Sequence, residues 1–163
     1  MSESLITITE ADLSRGDHGT AILDLLNGYA MDPFGDGQPL SEATRRDLIP
    51  GLRQHPTTRI FLAYRGGEPV GLAICFLGFS TFAARPLLNI HDYFVAPSSR
   101  GTGVGRLLMA AVEQRARELG CCKLTLEVLE NNHRARGVYA AAGFAQATYI
   151  PEAGGALFLS KLL

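Results

Sequence analysis

The sequence lacks several features that would place it in a special class of protein. Its 163 residues include no tryptophan and only three cysteines, Cys75, Cys121 and Cys122. An odd count with two adjacent cysteines does not fit a disulfide framework, and the absence of a CxxC spacing or a histidine cluster predicts no metal site. The longest apolar run, Pro69 to Phe79, is far too short to cross a membrane. Reduced thiols in a cytoplasmic protein are therefore expected.

The charges are balanced, and no targeting pattern stands at the start. Fifteen Lys and Arg face sixteen Asp and Glu, which leaves a net charge of −1. A nucleic-acid-binding domain usually carries a basic excess, so no nucleic-acid partner is expected. The opening "MSESLITITE" has no basic region followed by an apolar stretch, so we expect neither a signal peptide nor a membrane partner.

The periodicity of apolar residues predicts a single α/β domain over residues 1–163, in the order βααβββαβαββ with a mixed sheet. Helices are predicted at 17–29, at 42–49 with a disturbance at Pro50 and Gly51, at 104–119 and at 132–143. Strands are predicted at 5–9, 59–64, 68–79, 87–95, 123–129, 144–150 and 156–162.

The segment "APSSRGTGVGRLL" places three glycines and two arginines between a predicted strand and a predicted helix. Backbone N–H groups and the helix dipole converge there, which favours a phosphate. A P-loop is excluded because no lysine follows a glycine. A dinucleotide loop, with Glu127 as the ribose-binding acid, and a glycine-rich helix start without a ligand stay open as alternatives. A third pattern is R-x-x-G-x-G, met by Arg100, Gly103 and Gly105.

A second motif follows in "NNHRARGVYAAAGF", where Asn132 precedes Tyr139 by seven residues and Gly143-Phe144 ends the helix. With both motifs the chain resembles the GNAT superfamily of acyl-CoA-dependent N-acetyltransferases. The branch that contains the diamine (spermidine/spermine) and thialysine acetyltransferases is the most similar. The resemblance implies the GNAT fold, a mostly antiparallel sheet of about seven strands with helices on both faces.

The same resemblance implies acetyl-CoA as the acyl donor and coenzyme A as the product. Backbone N–H groups from Arg100 onward would cradle the pyrophosphate, and a splay after the fourth strand would free an N–H, that of Val95 foremost, for the thioester carbonyl. The residues implied in coenzyme binding are Phe94, Val95, Ala96, Arg100, Gly101, Thr102, Gly103, Val104, Gly105, Arg106, Asn132 and Tyr139.

Two positions are expected to carry the proton transfers. Tyr139, with a reference pKa of about 10, would protonate a departing thiolate whose pKa is about 8.5. His91 stands where the branch usually has a glutamate that acts as base, and an imidazole with a pKa of about 6.5 can relay a proton at neutral pH. Its neighbour Asp92 is also predicted to be catalytic, and strand alternation predicts that the two side chains face opposite ways. A purely structural, hydrogen-bonded His91 stays open.

The acceptor is expected to contact the loop after the first helix, through Asp32, Phe34 and Asp36, with Phe82, Arg85 and His91 as further lining. Two carboxylates beside an aromatic ring can hold an ammonium group. An arginine among them would favour an amino-acid-like acceptor. The alternative for the loop is ordinary turn chemistry with solvated charges.

These expectations together predict an enzyme, an acyl-CoA N-acyltransferase acting on the primary amine of a small molecule. A protein N-terminal or lysine acetyltransferase and a non-catalytic acyl-CoA sensor are the alternatives. Homodimerisation through the terminal strands is an expectation from the resemblance alone.

Overall fold

The computed structural model describes residues 5–163 and contains five strands and four helices within that range. Residues 1–4 lie outside the described part, so the prediction about a signal peptide in the opening segment falls partly outside it. The elements are β1 Ile6–Glu10, α1 Gly16–Ala30, α2 Glu42–Gln54, β2 Thr58–Arg65, β3 Glu68–Ser80, β4 Arg85–Val95, α3 Val104–Glu118, β5 Leu124–Leu126 and α4 His133–Ala141.

The strands form one mixed sheet in the order β1-β2-β3-β4-β5. The first four are antiparallel neighbours, and β5 runs parallel to β4. Sequential antiparallel pairing needs only short turns, whereas the parallel step from β4 to β5 needs a crossover, which α3 supplies. The predicted order of elements along the chain as far as β5 and the predicted mixed sheet are confirmed.

Helices cover both faces of this sheet. Ile22 and Leu25 of α1 and Leu52 of α2 pack with Ile60 and Leu72 in one apolar cluster. Successive strand residues face opposite sides, and β2 is buried at four consecutive positions, 60–63, so its other face is covered as well.

On that second face α3 approaches the sheet closely. A Cβ added at Gly71 would come within 3.1 Å of the Ala63 side chain and 3.3 Å of the Val104 side chain. The prediction of an α/β fold with helices on both sheet faces is therefore confirmed.

The structure corrects two expectations about individual elements. Helix α2 does not stop before Pro50 but continues to Gln54. Proline removes one N–H donor, yet Leu48, Ile49 and Leu52 pack on the core and hold the helix across it.

The sheet has five strands rather than seven, because residues 144–150 and 156–163 are assigned to no strand. Alternating apolar residues predict a strand only where a partner strand is available, and the large side chains of the last segment are strongly exposed, Leu157 by 84% and Leu159 by 84%.

The chain divides into two compact units, one extending to Leu126 and the other Glu127–Leu163. The second unit contains α4, whose first turn is capped by the side-chain oxygen of Asn132, and a 3₁₀ turn at Pro151–Ala153. Among residues 5–163, every helix is too short or too polar to span a bilayer. A single domain over the whole chain stays a prediction.

Candidate active site

The glycine-rich loop lies between the end of β4 and the first turn of α3, as the sequence predicts. Gly103 is the N-cap of α3 with φ +90°, and Gly101 has φ +75°. Both angles lie in the left-handed region, where a residue with a Cβ is strained. The first intrahelical bond of α3 runs from the N–H of Leu107 to the carbonyl of Gly103. The N–H groups of the first turn therefore have no acceptor within the helix and create a site of positive potential.

Two side-chain hydrogen bonds hold this loop in place. The Tyr93 hydroxyl donates to the carbonyl of Gly105 at 2.5 Å, and the Thr102 hydroxyl donates to the carbonyl of the buried Ser99 at 2.6 Å. The positions of the N–H groups are thus fixed before any ligand binds.

The space above the loop is open. A Cβ built on Gly101 or Gly103 would meet nothing within 4 Å, and Arg106, at the third helical position, is exposed. Two bare glycines, a helix N-terminus and an exposed guanidinium are a donor set that suits a pyrophosphate. The residues present therefore fit the coenzyme that the loop motif implies.

The end of β4 offers one backbone donor toward its free edge. Ala96 donates its N–H to the carbonyl of Val70, so its N–H is already used within the sheet. In an antiparallel ladder the N–H groups of successive residues point toward alternate edges of the strand. The N–H of Val95 therefore points away from β3, whereas that of Phe94 points toward β3.

On that outer edge β5 pairs only with Leu88–Ile90, so no strand within residues 5–163 covers Val95. Of the three donors predicted from the resemblance, only Val95 has an N–H on the open edge.

A β-bulge changes the predicted directions of His91 and Asp92. Ile74 pairs with Asp92 and Cys75 pairs with Ile90, so His91 is the extra residue without a partner in β3. Ile74 belongs to the cluster under α1, and a directly opposed residue shares its face.

The ring of His91 lies 5.4 Å from that of Phe76, which packs on the same cluster. Both side chains therefore lie on the α1 face, and the prediction of opposite faces is wrong because one inserted residue shifts the alternation.

Asp92 is an uncommon group on this face, because it is an acid in a mostly apolar setting. Burial raises the pKa of its carboxyl, while the nearby His91 lowers it in part. The pKa of Tyr29, on the last turn of α1, is raised first by burial and then by the carboxylates of Asp92, Asp32 and Asp36. These four residues, Tyr29, Asp32, Asp36 and Asp92, form what we call the acidic cluster.

The loop after α1 contributes two members of the acidic cluster in different settings. Asp32 is buried, and its carboxylate accepts from the Phe34 N–H at 3.2 Å and from Arg100 at 2.5 Å. Asp36 is exposed and Phe34 is half-buried. Contact of this loop with an acceptor stays a prediction, and the side chains exposed for it are those of Phe34 and Asp36.

Two further predicted acceptor residues lie elsewhere in the structure. Phe82 is fully exposed in the turn between β3 and β4, and Arg85 donates to the carbonyl of Gly120, just after α3. Arg85 lies six positions before His91 in β4, about 20 Å at the usual rise. The long hairpin thus carries both residues along β4 away from the acidic cluster, and their contact with the acceptor stays a prediction.

In the second unit, Tyr139 and Asn132 are positioned by α4. The Asn132 side-chain oxygen accepts from the Ala135 N–H at 3.2 Å, so the motif asparagine shapes the start of the helix. Tyr139 packs edge-on against Phe144, with ring centroids 6.0 Å apart, and its carbonyl accepts from the Phe144 N–H. The spacing of the motif thus has a local structural basis, and the coenzyme and acid roles of both residues stay predictions.

The sequence analysis missed Tyr29 as a site residue. Its helical spacing with Ile22 and Leu25 predicts a core position, and its ring does stack on Phe94 at 5.9 Å. The sequence could have indicated Tyr29 through its position, because it lies on the last turn of the predicted helix, directly before the loop that contains Asp32 and Asp36. His55, edge-on to Phe76 at 4.9 Å, was likewise not predicted.

Comparison with known proteins gives consistent matches. The profile of the acetyltransferase (GNAT) family matches residues 20–144. A thialysine N-epsilon-acetyltransferase of Bos taurus is 34% identical over 150 residues, covering 86% of this chain and 84% of that protein. A streptothricin acetyltransferase of Streptomyces lavendulae is 43% identical over 122 residues, covering 74% of this chain and 57% of that protein.

Among solved structures, AAC(6')-Iy in complex with the bisubstrate analog CoA-S-monomethyl-acetylneamine has a TM-score of 0.76 at 19% identity. The match covers 98% of this chain and 100% of that one, and it is a likeness of fold.

Proposed function

This chain belongs to the acetyltransferase (GNAT) family, and we propose that it transfers an acetyl group from acetyl-CoA to the primary amine of a small molecule by direct attack in a ternary complex. The observation that carries the proposal is the juxtaposition at the end of β4. The glycine-rich loop, which we call the phosphate loop, begins there, and the N–H of Val95 on the open edge of β4 lies beside it. His91 and Asp92 lie on the sheet face that α1 covers.

The acceptor is proposed to be amino-acid-like or polyamine-like, because the acidic cluster favours a cation. The exposed Asp36 would attract an ammonium group, and the half-buried Phe34 beside it offers an apolar surface. The thialysine and streptothricin relatives support a small amine acceptor. A carboxylate on the acceptor would need Arg85, whose guanidinium donates to the carbonyl of Gly120 in this structure.

Activation of the amine is assigned to His91 and Asp92. An alkylamine with a pKa of about 10.4 is almost entirely protonated at pH 7, so a nearby base must accept its proton. Burial raises the pKa of the Asp92 carboxyl above its usual value, which makes this carboxylate a better base than an exposed aspartate. His91, exposed beside it, would pass the proton to solvent.

The remaining roles concern the carbonyl and the sulfur. The Val95 N–H would donate a hydrogen bond to the thioester oxygen as negative charge develops there, a contribution of about 3 kcal/mol for one such donor. As the new C–N bond forms and the C–S bond breaks, the Tyr139 hydroxyl would give its proton to the departing sulfur. When bound, acetyl-CoA supplies the activated acyl group.

The test uses isotope-labelled acetyl-CoA, thialysine and a panel of small primary amines, read by mass spectrometry. We expect label in one or more amines with the unaltered protein. With Tyr139→Phe, turnover should fall by about 10²-fold while the Kd of coenzyme A is unchanged, since only the proton donor is lost. Tyr149→Phe is the matched control, because Tyr149 is 79% exposed in the same unit.

Two results would contradict the proposal. If the protein binds coenzyme A but labels no amine, it is a sensor or acts on protein acceptors. If Tyr139→Phe keeps full turnover, Tyr139 has no part in the mechanism.

A further inference from the structure

The arginine of the phosphate-loop motif uses its side chain inside the protein. The Arg100 Nε donates to the carbonyl of Val95 at 2.9 Å, and its terminal nitrogen donates to the carboxylate of Asp32 at 2.5 Å. The guanidinium also lies over the ring of Phe94, 5.7 Å from its centroid. The positive charge is thus directed at the loop after α1.

This ion pair differs from the others in its burial. The side chain of Asp32 is 6% exposed and that of Arg100 is 24% exposed. In every other ion pair recorded for residues 5–163, both side chains are at least 28% exposed. Exposed pairs contribute little, whereas removing one partner of a buried pair leaves a charge without compensation.

Asp32 in turn determines the path of the loop. Its carboxylate accepts from the Phe34 N–H, and its carbonyl accepts from the Gly35 N–H at 2.8 Å. Gly35 sits so tightly against the end of α1 that an added Cβ would lie 2.1 Å from the Tyr29 carbonyl oxygen. A displacement of Asp32 would therefore move the whole turn that carries Phe34 and Asp36.

We propose that Arg100 is a positioning residue for the amine acceptor, which through Asp32 holds the loop 31–37 against the end of β4. The inference rests on the proposed function. The motif arginine then has two separate roles: its backbone begins the phosphate loop, while its side chain orders the acceptor loop. The two substrates would be aligned by one side chain, because its Nε fixes Val95 while its terminal nitrogen fixes Asp32.

The first measurement is amide hydrogen exchange over residues 34–37 in the free protein. In Arg100→Gln and in Asp32→Asn, exchange there should accelerate by about tenfold, because the buried pair is broken. Arg100→Lys keeps the charge but loses the Nε bond, so it should restore part of the protection. Arg45→Gln is the matched control, since Arg45 pairs with Asp24 at 3.4 Å on the exposed surface, and it should exchange like the unaltered protein.

The second measurement separates positioning from general damage. With thialysine as the acceptor probe, Arg100→Gln should raise its KM about tenfold, a larger change than in the Kd of coenzyme A, because the phosphate is proposed to contact the backbone of the loop rather than this side chain. The Arg100→Gln/Asp32→Asn double variant should be no worse than either single one, because the two residues act as one unit.

The outcomes distinguish this inference from the proposed function. Unaltered exchange at residues 34–37 in Arg100→Gln overturns the inference. A weakened Kd of coenzyme A with unaltered exchange also overturns it, because the side chain would then serve the phosphate directly. If the unaltered protein labels no amine, the proposed function fails, and the exchange data still decide whether Arg100 orders the loop.

Discussion

The two glycines at the start of α3, Gly103 and Gly105, should respond in opposite ways to the same substitution. Gly103 has φ +90°, whereas the backbone angle of Gly105 is not positive. A Cβ at Gly103 would meet nothing within 4 Å, so the cost of Gly103→Ala is conformational, about 1–2 kcal/mol for the left-handed region. The smaller entropy of the unfolded alanine chain returns about 0.4–1 kcal/mol. The net loss in the free energy of unfolding is therefore about 1 kcal/mol.

Gly105→Ala has no such cost. Its Cβ would lie 3.6 Å from the Tyr93 hydroxyl and 3.6 Å from a Val95 methyl, which is ordinary contact distance. Replacing a helical glycine by alanine gains about 0.5–1 kcal/mol. The two variants should then differ by about 2 kcal/mol, a separation of about 4–8 °C in Tm for a chain of this length.

Thermal unfolding and titration with coenzyme A measure the two consequences. We expect Gly103→Ala to weaken the Kd of coenzyme A by about tenfold, because a changed φ redirects the N–H groups of the loop. Gly103→Asn should recover part of the stability, since asparagine tolerates the left-handed region. If Gly103→Ala unfolds at the same temperature as Gly105→Ala, the loop does not need the left-handed conformation and the reasoning fails.

Two further predictions concern the β-bulge. Burial raises the folded-state pKa of Asp92, so the folded protein binds its proton more tightly than the unfolded chain, and stability should fall as pH rises from about 3.8 through the folded-state pKa. At pH 7 the urea midpoint of unfolding should therefore be higher for Asp92→Asn than for the unaltered protein, and this difference should shrink toward pH 4. A difference in midpoint that is constant with pH would contradict the reasoning. His91→Ala should turn over more slowly than the unaltered protein at pH 7, because the route that passes the proton to solvent is lost, and a variant that keeps the full rate would show that His91 is structural.

Much of the fold is predictable because its elements carry local signals. The apolar spacing of Ile22 and Leu25 predicts α1, and the loop Arg65–Gly67 predicts the hairpin of β2 and β3. The segments 144–150 and 156–163 carry an equally clear alternation and form no strand. Their assignment depends on the availability of a partner strand, which no local pattern reports.

The phosphate loop is predictable for a similar reason. Backbone conformation limits the residue type there, so Gly101 and Gly103 indicate their left-handed angles directly. The family and the acetyltransferase class follow from the resemblance carried by that loop and the Asn132–Tyr139 motif, and the comparisons confirm both.

The acceptor side was harder to predict because its residues depend on register. A single unpaired residue in β4 turns His91 and Asp92 to the same face and brings Asp92 toward Tyr29. The residue types at these positions do not reveal a bulge, and neither does the apolar pattern of the strand. Arg85 depends on the same kind of information, since the length of the hairpin before His91 decides where its side chain can reach.

The bulge also explains why the chain tolerates a carboxyl group in an apolar setting. In a regular strand, Asp92 would lie on the α3 face with Ala73 and Cys75, which are fully buried. The inserted residue moves it instead to the edge of the α1 cluster, beside His91, where part of the charge is compensated. Ionisation of Asp92 still lowers the free energy of unfolding, and the buried core of β2 and β3 must offset that loss. This environment supports the role of proton acceptor that we propose for Asp92, because structural carboxylates are usually held by donors, as Asp32 is by Arg100.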